Sequence, residues 1–301
     1  MDALRRADIG IDMPVGEALR TPIKGNWPNF LAFPAFIEVA GTSGSGFSIT
    51  DGTSSYLVSA AHVLFKDKRE VYGEPVKVTL CDALTHNAVV YELDCQTLYA
   101  NNCLLKHRDS TVDVAVCKVG LLNEADTESG RIKELPVDGV VEINHPADAT
   151  VLGLKFNSFC LIDKVLLCES VLLLSHPTSL TNGDPALSRG YPLMRSGMVA
   201  GKPPGNRIII DCPTYPGNSG GLVLRTSDQS AIGVAIRNIG FSEKLYSSVD
   251  RSEVSIRRHN SGFTVVEPMD RVLDIVQEMT ALDCKTLGAP DAFMLKPKAP
   301  A

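Results

Sequence analysis

The run Cys212-Pro213-Thr214-Tyr215-Pro216-Gly217-Asn218-Ser219-Gly220-Gly221 sets one serine among three glycines, between two apolar stretches. Glycine serves where the backbone needs a positive φ or must approach something closely. Such a turn can hold a hydroxyl clear of its surroundings with backbone amides converging beside it, as a serine nucleophile and its oxyanion hole require. Read alone, the same run is equally a glycine-rich hairpin turn. A serine hydroxyl is a poor nucleophile near neutral pH, so the catalytic reading needs a base and a group to orient that base. Two residues have the right chemistry. His62 is the imidazole inside the apolar run Tyr56-Leu57-Val58-Ser59-Ala60-Ala61-His62-Val63-Leu64, and Asp113 heads Val112-Asp113-Val114-Ala115-Val116-Cys117-Lys118-Val119. A carboxylate at the entrance of a buried strand is costly unless it finds a donor. A neutral imidazole can take the serine proton, and a carboxylate can fix its tautomer and stabilise the imidazolium that forms.

These residues lie far apart in the chain, so a fold must gather them. Residues 1–32 read as an N-terminal extension, a short amphipathic helix over Met1 to Ile9 followed by a lead-in rich in proline and glycine. From Phe33 the pattern becomes short alternating runs: Phe36 to Ala40, a turn at Gly41-Thr42-Ser43-Gly44-Ser45-Gly46, then Phe47 to Thr50. Residues 33–121 form one group of strands, 122–139 a charged linker, and 140–266 a second group of similar size. Pro268 then opens a helix whose apolar face is Met269, Val272, Leu273, Val276 and Met279, and residues 267–301 are helix and tail. Many short strands in two groups predict a mainly β protein with two barrels or sandwiches.

The bulk numbers remove several functions. With 301 residues, a net charge of −6 and no block of Lys and Arg, no nucleic-acid partner is expected. The N-terminus lacks the apolar core of a secretory signal, and the most apolar region, Leu161 to Leu174, is broken by Asp163, Lys164 and Glu169. No membrane partner is expected, and the predicted location is cytoplasmic with reduced thiols. The eight cysteines form no C-x-x-C pair and, with the six histidines, show no zinc spacing, so neither metal nor cofactor is expected. The glycines at 41–46 lack the Lys-Ser/Thr ending of a phosphate loop, and His107-Arg108-Asp109 lacks the asparagine of a kinase catalytic loop, having Val114 instead.

Taken together, Gly44-Ser45-Gly46-Phe47, Ser59-Ala60-Ala61-His62-Val63, Asp113-Val114-Ala115-Val116, Ser196-Gly197-Met198-Val199 and Pro216-Gly217-Asn218-Ser219-Gly220-Gly221 resemble the chymotrypsin-like (trypsin-like) serine peptidases. The resemblance spans about Phe33 to Glu278. It implies two six-stranded antiparallel β-barrels with the site between them, and a C-terminal helix. It also implies Ser219 as nucleophile, His62 as general base and acid, Asp113 as its orienting partner, and the amides of Gly217 and Ser219 as the oxyanion hole. Pro213, Thr214, Ile236, Arg237 and Asn238 would then line the first specificity pocket. The chain departs from digestive members in three places. Asn218 stands where they carry the aspartate that pairs with a newly cut N-terminus, Val63 replaces a cysteine, and Pro213 replaces the aspartate that reads basic side chains. It looks closer to the HtrA-like and bacterial trypsin-like branch, as a stand-alone domain with no PDZ-sized region after Glu278. The expected activity is that of a serine endopeptidase acting on peptide or protein substrates. A second reading is a gated or inactive module that binds peptides or a regulatory protein partner.

Overall fold

Alternating apolar and polar residues become antiparallel strands through most of the computed structural model, which describes residues 29–39, 41–66, 70–83, 85, 87–122, 134–144, 151–178, 191–246 and 253–286. The helix expected over Met1 to Ile9, most of the expected linker and the tail beyond residue 286 lie outside the described residues. The first half contains β1 (Pro34–Val39), β2 (Thr42–Thr50), β3 (Ser54–Ser59), α1 (Ala61–Leu64), β4 (Val76–Cys81), β5 (Ala88–Leu93), α2 (Cys95–Ala100), β6 (Ala115–Leu122) and β7 (Val140–Asn144). With short strands at Glu134–Pro136, Leu104–Lys106 and Leu154–Lys155 they make a ten-stranded sheet whose main order is Glu134–Pro136, β6, β3, β2, β1, β4, β5, β7. The second half contains β8 (Ser170–Ser175), β9 (Leu193–Gly201), β10 (Ile208–Asp211), β11 (Gly221–Arg225), β12 (Ala231–Tyr246) and β13 (Glu253–Pro268), closed as β8-β9-β10-β13-β12-β11. The helix α3 (Met269–Thr286) follows.

The architecture is the mainly β double barrel with a C-terminal helix that the resemblance implies. Its halves differ in closure: the second is a closed six-stranded barrel, the first an open half-barrel. β7 ends the first sheet at one side and buries only Val140 of its five residues, so it has no inward face with which to seal a cylinder.

Period-two alternation binds the halves. In β11, Val223 packs into the lumen of the second barrel, while Leu222 and Leu224 join the core that fills the first sheet. Met269, Val272, Ile275, Val276 and Met279 of α3 are buried in that same core. Leu273, expected on the apolar face, is only half-buried, and Ile275 takes its place. Pro268 is the last residue of β13 and not the first of the helix. Lys118 pairs with Asp283 at 2.9 Å and His107 with Asp274 at 3.3 Å, fastening α3 to the first sheet.

The expected turn over residues 41–46 shrinks to its beginning, because β2 already starts at Thr42. Gly44 and Gly46 are strand residues placed where neighbours come close. A Cβ on Gly44 would lie 2.6 Å from the Val63 side chain, and one on Gly46 2.8 Å from the Val58 carbonyl oxygen. The apolar runs Ala231–Ile236 and Gly262–Val266 are only parts of longer strands. β12 and β13 continue as a long hairpin, paired from Gly240↔Asn260 to Tyr246↔Glu253. Cys81, Cys95, Cys103, Cys117, Cys160, Cys168 and Cys212 are free thiols, and among the described residues no helix is long and apolar enough to cross a membrane.

The tightest point of the structure is the seam between the halves. A Cβ on Gly220 (φ +90°) would lie 1.9 Å from the Ser45 carbonyl oxygen, whereas one on Gly205 (φ +94°) meets nothing within 4 Å. Gly205→Ala therefore incurs backbone strain alone, about 1–2 kcal/mol, and Gly220→Ala adds overpacking to reach about 3 kcal/mol or more. Urea unfolding of the two variants should show the larger drop in midpoint for Gly220→Ala.

Candidate active site

β3 ends at Ser59, and the apolar run containing His62 bends into α1, a helix of four residues that buries Ala61, Val63 and Leu64 and leaves His62 partly exposed. Asp113 lies just ahead of β6, which begins two residues later at Ala115, and its side chain is only 5% exposed. The Asp113 carboxylate accepts from the His62 backbone N–H at 3.1 Å and lies 2.8 Å from His62 Nδ1. The Asp113 carbonyl also accepts from the Ala61 N–H at 3.2 Å. An ionised carboxylate can only accept, so Nδ1 carries the proton and Nε2 is left as the acceptor of the ring.

Ser219 reaches the same cleft from the other half, on the loop between β10 and β11. Tyr215, Pro216, Gly217 and Asn218 form a turn closed by the Asn218 N–H on the Tyr215 carbonyl at 3.0 Å, with Gly217 at φ +96°. Proline at the second position and a left-handed glycine at the third define a type II turn. The Gly220 N–H donates to the Ala235 carbonyl at 2.7 Å, while the N–H groups of Gly217 and Ser219 carry no hydrogen bond to another described residue. The Ser219 hydroxyl donates to the Ile236 carbonyl at 3.1 Å, and among the described residues no hydrogen bond joins it to His62.

His62, Asp113 and Ser219 line a cleft of about 330 Å³ together with Thr214, Tyr215, Pro216, Asn218, Ala235, Ile236, Arg237 and Asn238. Of the expected pocket residues, Thr214, Ile236, Arg237 and Asn238 are therefore brought together. Pro213 is not among the lining residues: its carbonyl accepts from Arg195 Nη1 at 2.9 Å, and that guanidinium lies over the Tyr215 ring. The Thr214 and Thr264 hydroxyls are 3.0 Å apart and both residues are buried. Burial pushes the neighbouring Cys212 thiol above its ordinary range, so the thiol stays protonated and does not compete as a nucleophile. No group of three or more metal-ligating side chains occurs among the described residues.

The model of the trypsin-like peptidase domain matches residues 44–234, well over half of the chain. The chain belongs to the trypsin-like peptidase family. No curated protein matches it in sequence. Among solved structures it is similar to the serine endoprotease from Yersinia pestis (TM-score 0.47, 16% identity, 83% of this chain and 64% of the other). It is also similar to Deg5 (TM-score 0.47, 16% identity, 82% and 88%) and to the HtrA-type protease AlgW with tripeptide (TM-score 0.46, 14% identity, 84% and 62%). The chain thus spans less than two thirds of the Yersinia protein and of AlgW.

Within this trypsin-like peptidase fold, Asn218 fastens the Ser219 loop to its surroundings through polar contacts. Asn218 is 1% exposed, its amide donates to Ser175 Oγ at 2.8 Å, and its Oδ1 accepts from the Tyr215 N–H at 3.3 Å. Both partners are neutral. Nothing in the sequence signals the roles of Ser175 and of Ser45, whose hydroxyl and amide meet the serine loop directly. Because the partners of Asn218 bring no positive charge, Asn218→Asp buries an uncompensated carboxylate. It should lower stability by about 3–5 kcal/mol, read as a fall in the thermal unfolding midpoint.

Proposed function

We propose that this trypsin-like peptidase cleaves peptide bonds by acyl-enzyme chemistry, with Ser219 as nucleophile, His62 as general base and acid, and Asp113 holding the imidazole. The observation that carries the proposal is the buried Asp113 carboxylate 2.8 Å from His62 Nδ1, in the cleft that Ser219 enters from the opposite half of the molecule. Rotation about the Ser219 Cα–Cβ bond takes the hydroxyl from the Ile236 carbonyl toward Nε2. Its oxygen then attacks the substrate carbonyl, the proton passes to Nε2, and the tetrahedral oxyanion lies against the Gly217 and Ser219 amides. Nε2 returns the proton to the leaving amine, and water repeats the sequence on the acyl-enzyme. Each amide of such a hole contributes about 3–4 kcal/mol to the barrier reduction.

The cleft walls bear on specificity. Among the described residues, Asp113 is the only carboxylate lining the cleft, and His62 engages it. A Lys or Arg side chain therefore finds no counter-charge, while Ala235, Ile236 and the mutually bonded Thr214 offer a neutral floor for a small or apolar side chain. Arg237 gives an acidic side chain a secondary claim. The contact of Ser219 with the Ile236 carbonyl also fits a second reading, a gated module that binds peptides or a protein partner without turnover.

Digestion of a peptide library, followed by mass spectrometry, separates these readings. Cleavage should follow small or apolar residues at least tenfold more often than Lys or Arg, a difference of about 1.4 kcal/mol. Ser219→Ala should abolish it, and Asp113→Asn should lower kcat by about 10⁴-fold through loss of the required tautomer. Cleavage that survives Ser219→Ala would overturn the nucleophile, and a wild-type protein that binds peptides but cuts none would select the gated module.

A further inference from the structure

The first half of the molecule contributes more than His62 and Asp113 to the site. Ser45, on β2, is fully buried, and three of its groups bond to residues of the second half or to β3. Its N–H donates to the Ser219 carbonyl at 2.7 Å, and its hydroxyl donates to the Gly217 carbonyl at 2.7 Å. The same hydroxyl accepts from the His176 N–H at 2.8 Å, and its carbonyl accepts from the Ser59 hydroxyl at 2.7 Å. A second contact lies beside the first. Ser43 Oγ donates to Thr178 Oγ1 at 3.0 Å, and Thr178 Oγ1 donates to the Pro216 carbonyl at 3.4 Å.

Those two acceptors, the carbonyls of Pro216 and Gly217, belong to the peptide units on either side of the Gly217 Cα. In a trans peptide the C=O and N–H of one unit point to opposite sides, and the described backbone contains no cis bond. Holding the Pro216 oxygen toward Thr178 therefore aims the Gly217 N–H the other way. Pro216 stands between two clefts: Ser43, Thr178 and Gly217 line one of about 510 Å³, and His62 and Ser219 line the other. Without these anchors a left-handed glycine can flip the Pro216–Gly217 unit and turn type II into type I. The flip would present a carbonyl oxygen where an oxyanion needs a donor. Side chains cannot substitute for the anchors, because a Cβ on Gly217 would lie 2.4 Å from the His176 carbonyl oxygen.

We propose that Ser45 and the Ser43–Thr178 pair are positioning residues that hold the peptide units on either side of the Gly217 Cα, Ser45 through the Gly217 carbonyl and Thr178 through the Pro216 carbonyl, so that the Gly217 N–H faces the catalytic cleft. The proposal rests on the reading of Ser219 as nucleophile and of the Gly217 N–H as an oxyanion donor.

The test compares two reactions of the full chain. A fluorophosphonate reacts by forming the Ser219 Oγ–P bond as the P–F bond breaks, with the hydroxyl proton passing to His62 and fluoride leaving, and its phosphoryl oxygen draws on the oxyanion hole. Iodoacetamide alkylation of a Ser219→Cys protein, followed by mass spectrometry of that peptide, displaces iodide and builds no oxyanion. Ser45→Ala should slow fluorophosphonate labelling by about 10²–10³-fold, the worth of one donor. Thr178→Val, on the partly exposed rim, should slow it by about tenfold, the worth of one hydrogen bond, and Thr178→Ser should restore the rate. Alkylation should stay within about twofold in every background, less than half the effect of one hydrogen bond. Wild-type labelling of Ser219 with unchanged rates in Ser45→Ala and Thr178→Val would overturn the positioning role alone. An equal fall in both reactions would also overturn it, assigning these hydroxyls to support of the fold. A wild-type chain that fluorophosphonate does not label would overturn the underlying nucleophile assignment itself.

Discussion

The site depends on one contact, the meeting of the Gly44-Ser45-Gly46 segment of β2 with the Ser219 loop. It is a backbone hydrogen bond from Ser45 N–H to the Ser219 carbonyl, 2.7 Å long, made where the halves come closest. Residue types on both sides follow from it. Gly220 faces the Ser45 carbonyl, so a side chain there would force the halves apart, and Gly44 faces Val63, with which a side chain would clash, and the Ser219 carbonyl. Buried polar backbone must be paired, and this seam pairs it across the division between the two strand systems.

From that contact the functional groups acquire fixed relations without long-range machinery. Val63 packs against Gly44 and is next to His62, so the helix that carries the imidazole is referenced to the strand that holds the serine loop. Asp113 grips α1 twice, through its carboxylate on the His62 N–H and its carbonyl on the Ala61 N–H. Asn218 ties the loop back to β8 through Ser175. The groups are held mainly by short polar contacts between neighbouring elements. Preorganisation of this sort is what electrostatic stabilisation of a developing charge requires.

Much of this was legible in the sequence, for definite reasons. The mainly β class follows from period-two runs, and the family resemblance follows from short local strings around His62, Asp113 and Ser219 that can be read without knowing the fold. The strand limits were less legible. Gly44 and Gly46 look like a turn because glycine in sequence signals conformational freedom, whereas here it signals proximity, which only the folded partner reveals. The open first half-barrel and the reach of the β12–β13 hairpin were hidden for a related reason: closure and pairing are set by contacts between strands distant in sequence. The role of Ser45 was invisible because a serine between two glycines in a strand has no local signature of the loop it touches, 172 residues away. Pro213 was assigned to the specificity pocket by position, and the contact with Arg195 that takes its carbonyl away from the cleft could not be read locally.

The serine loop is a structure shared between the halves, and the proposed mechanism requires the Ser219 hydroxyl and the Gly217 and Ser219 amides to converge on one point. A crystal structure of the protein after reaction with diisopropyl fluorophosphate examines that convergence directly. The account predicts phosphorus bonded to Ser219 Oγ and one phosphoryl oxygen about 2.7–3.1 Å from both the Gly217 and Ser219 amide nitrogens. An unmodified Ser219, or an adduct whose phosphoryl oxygen points to solvent with the Gly217 N–H turned away, would contradict it.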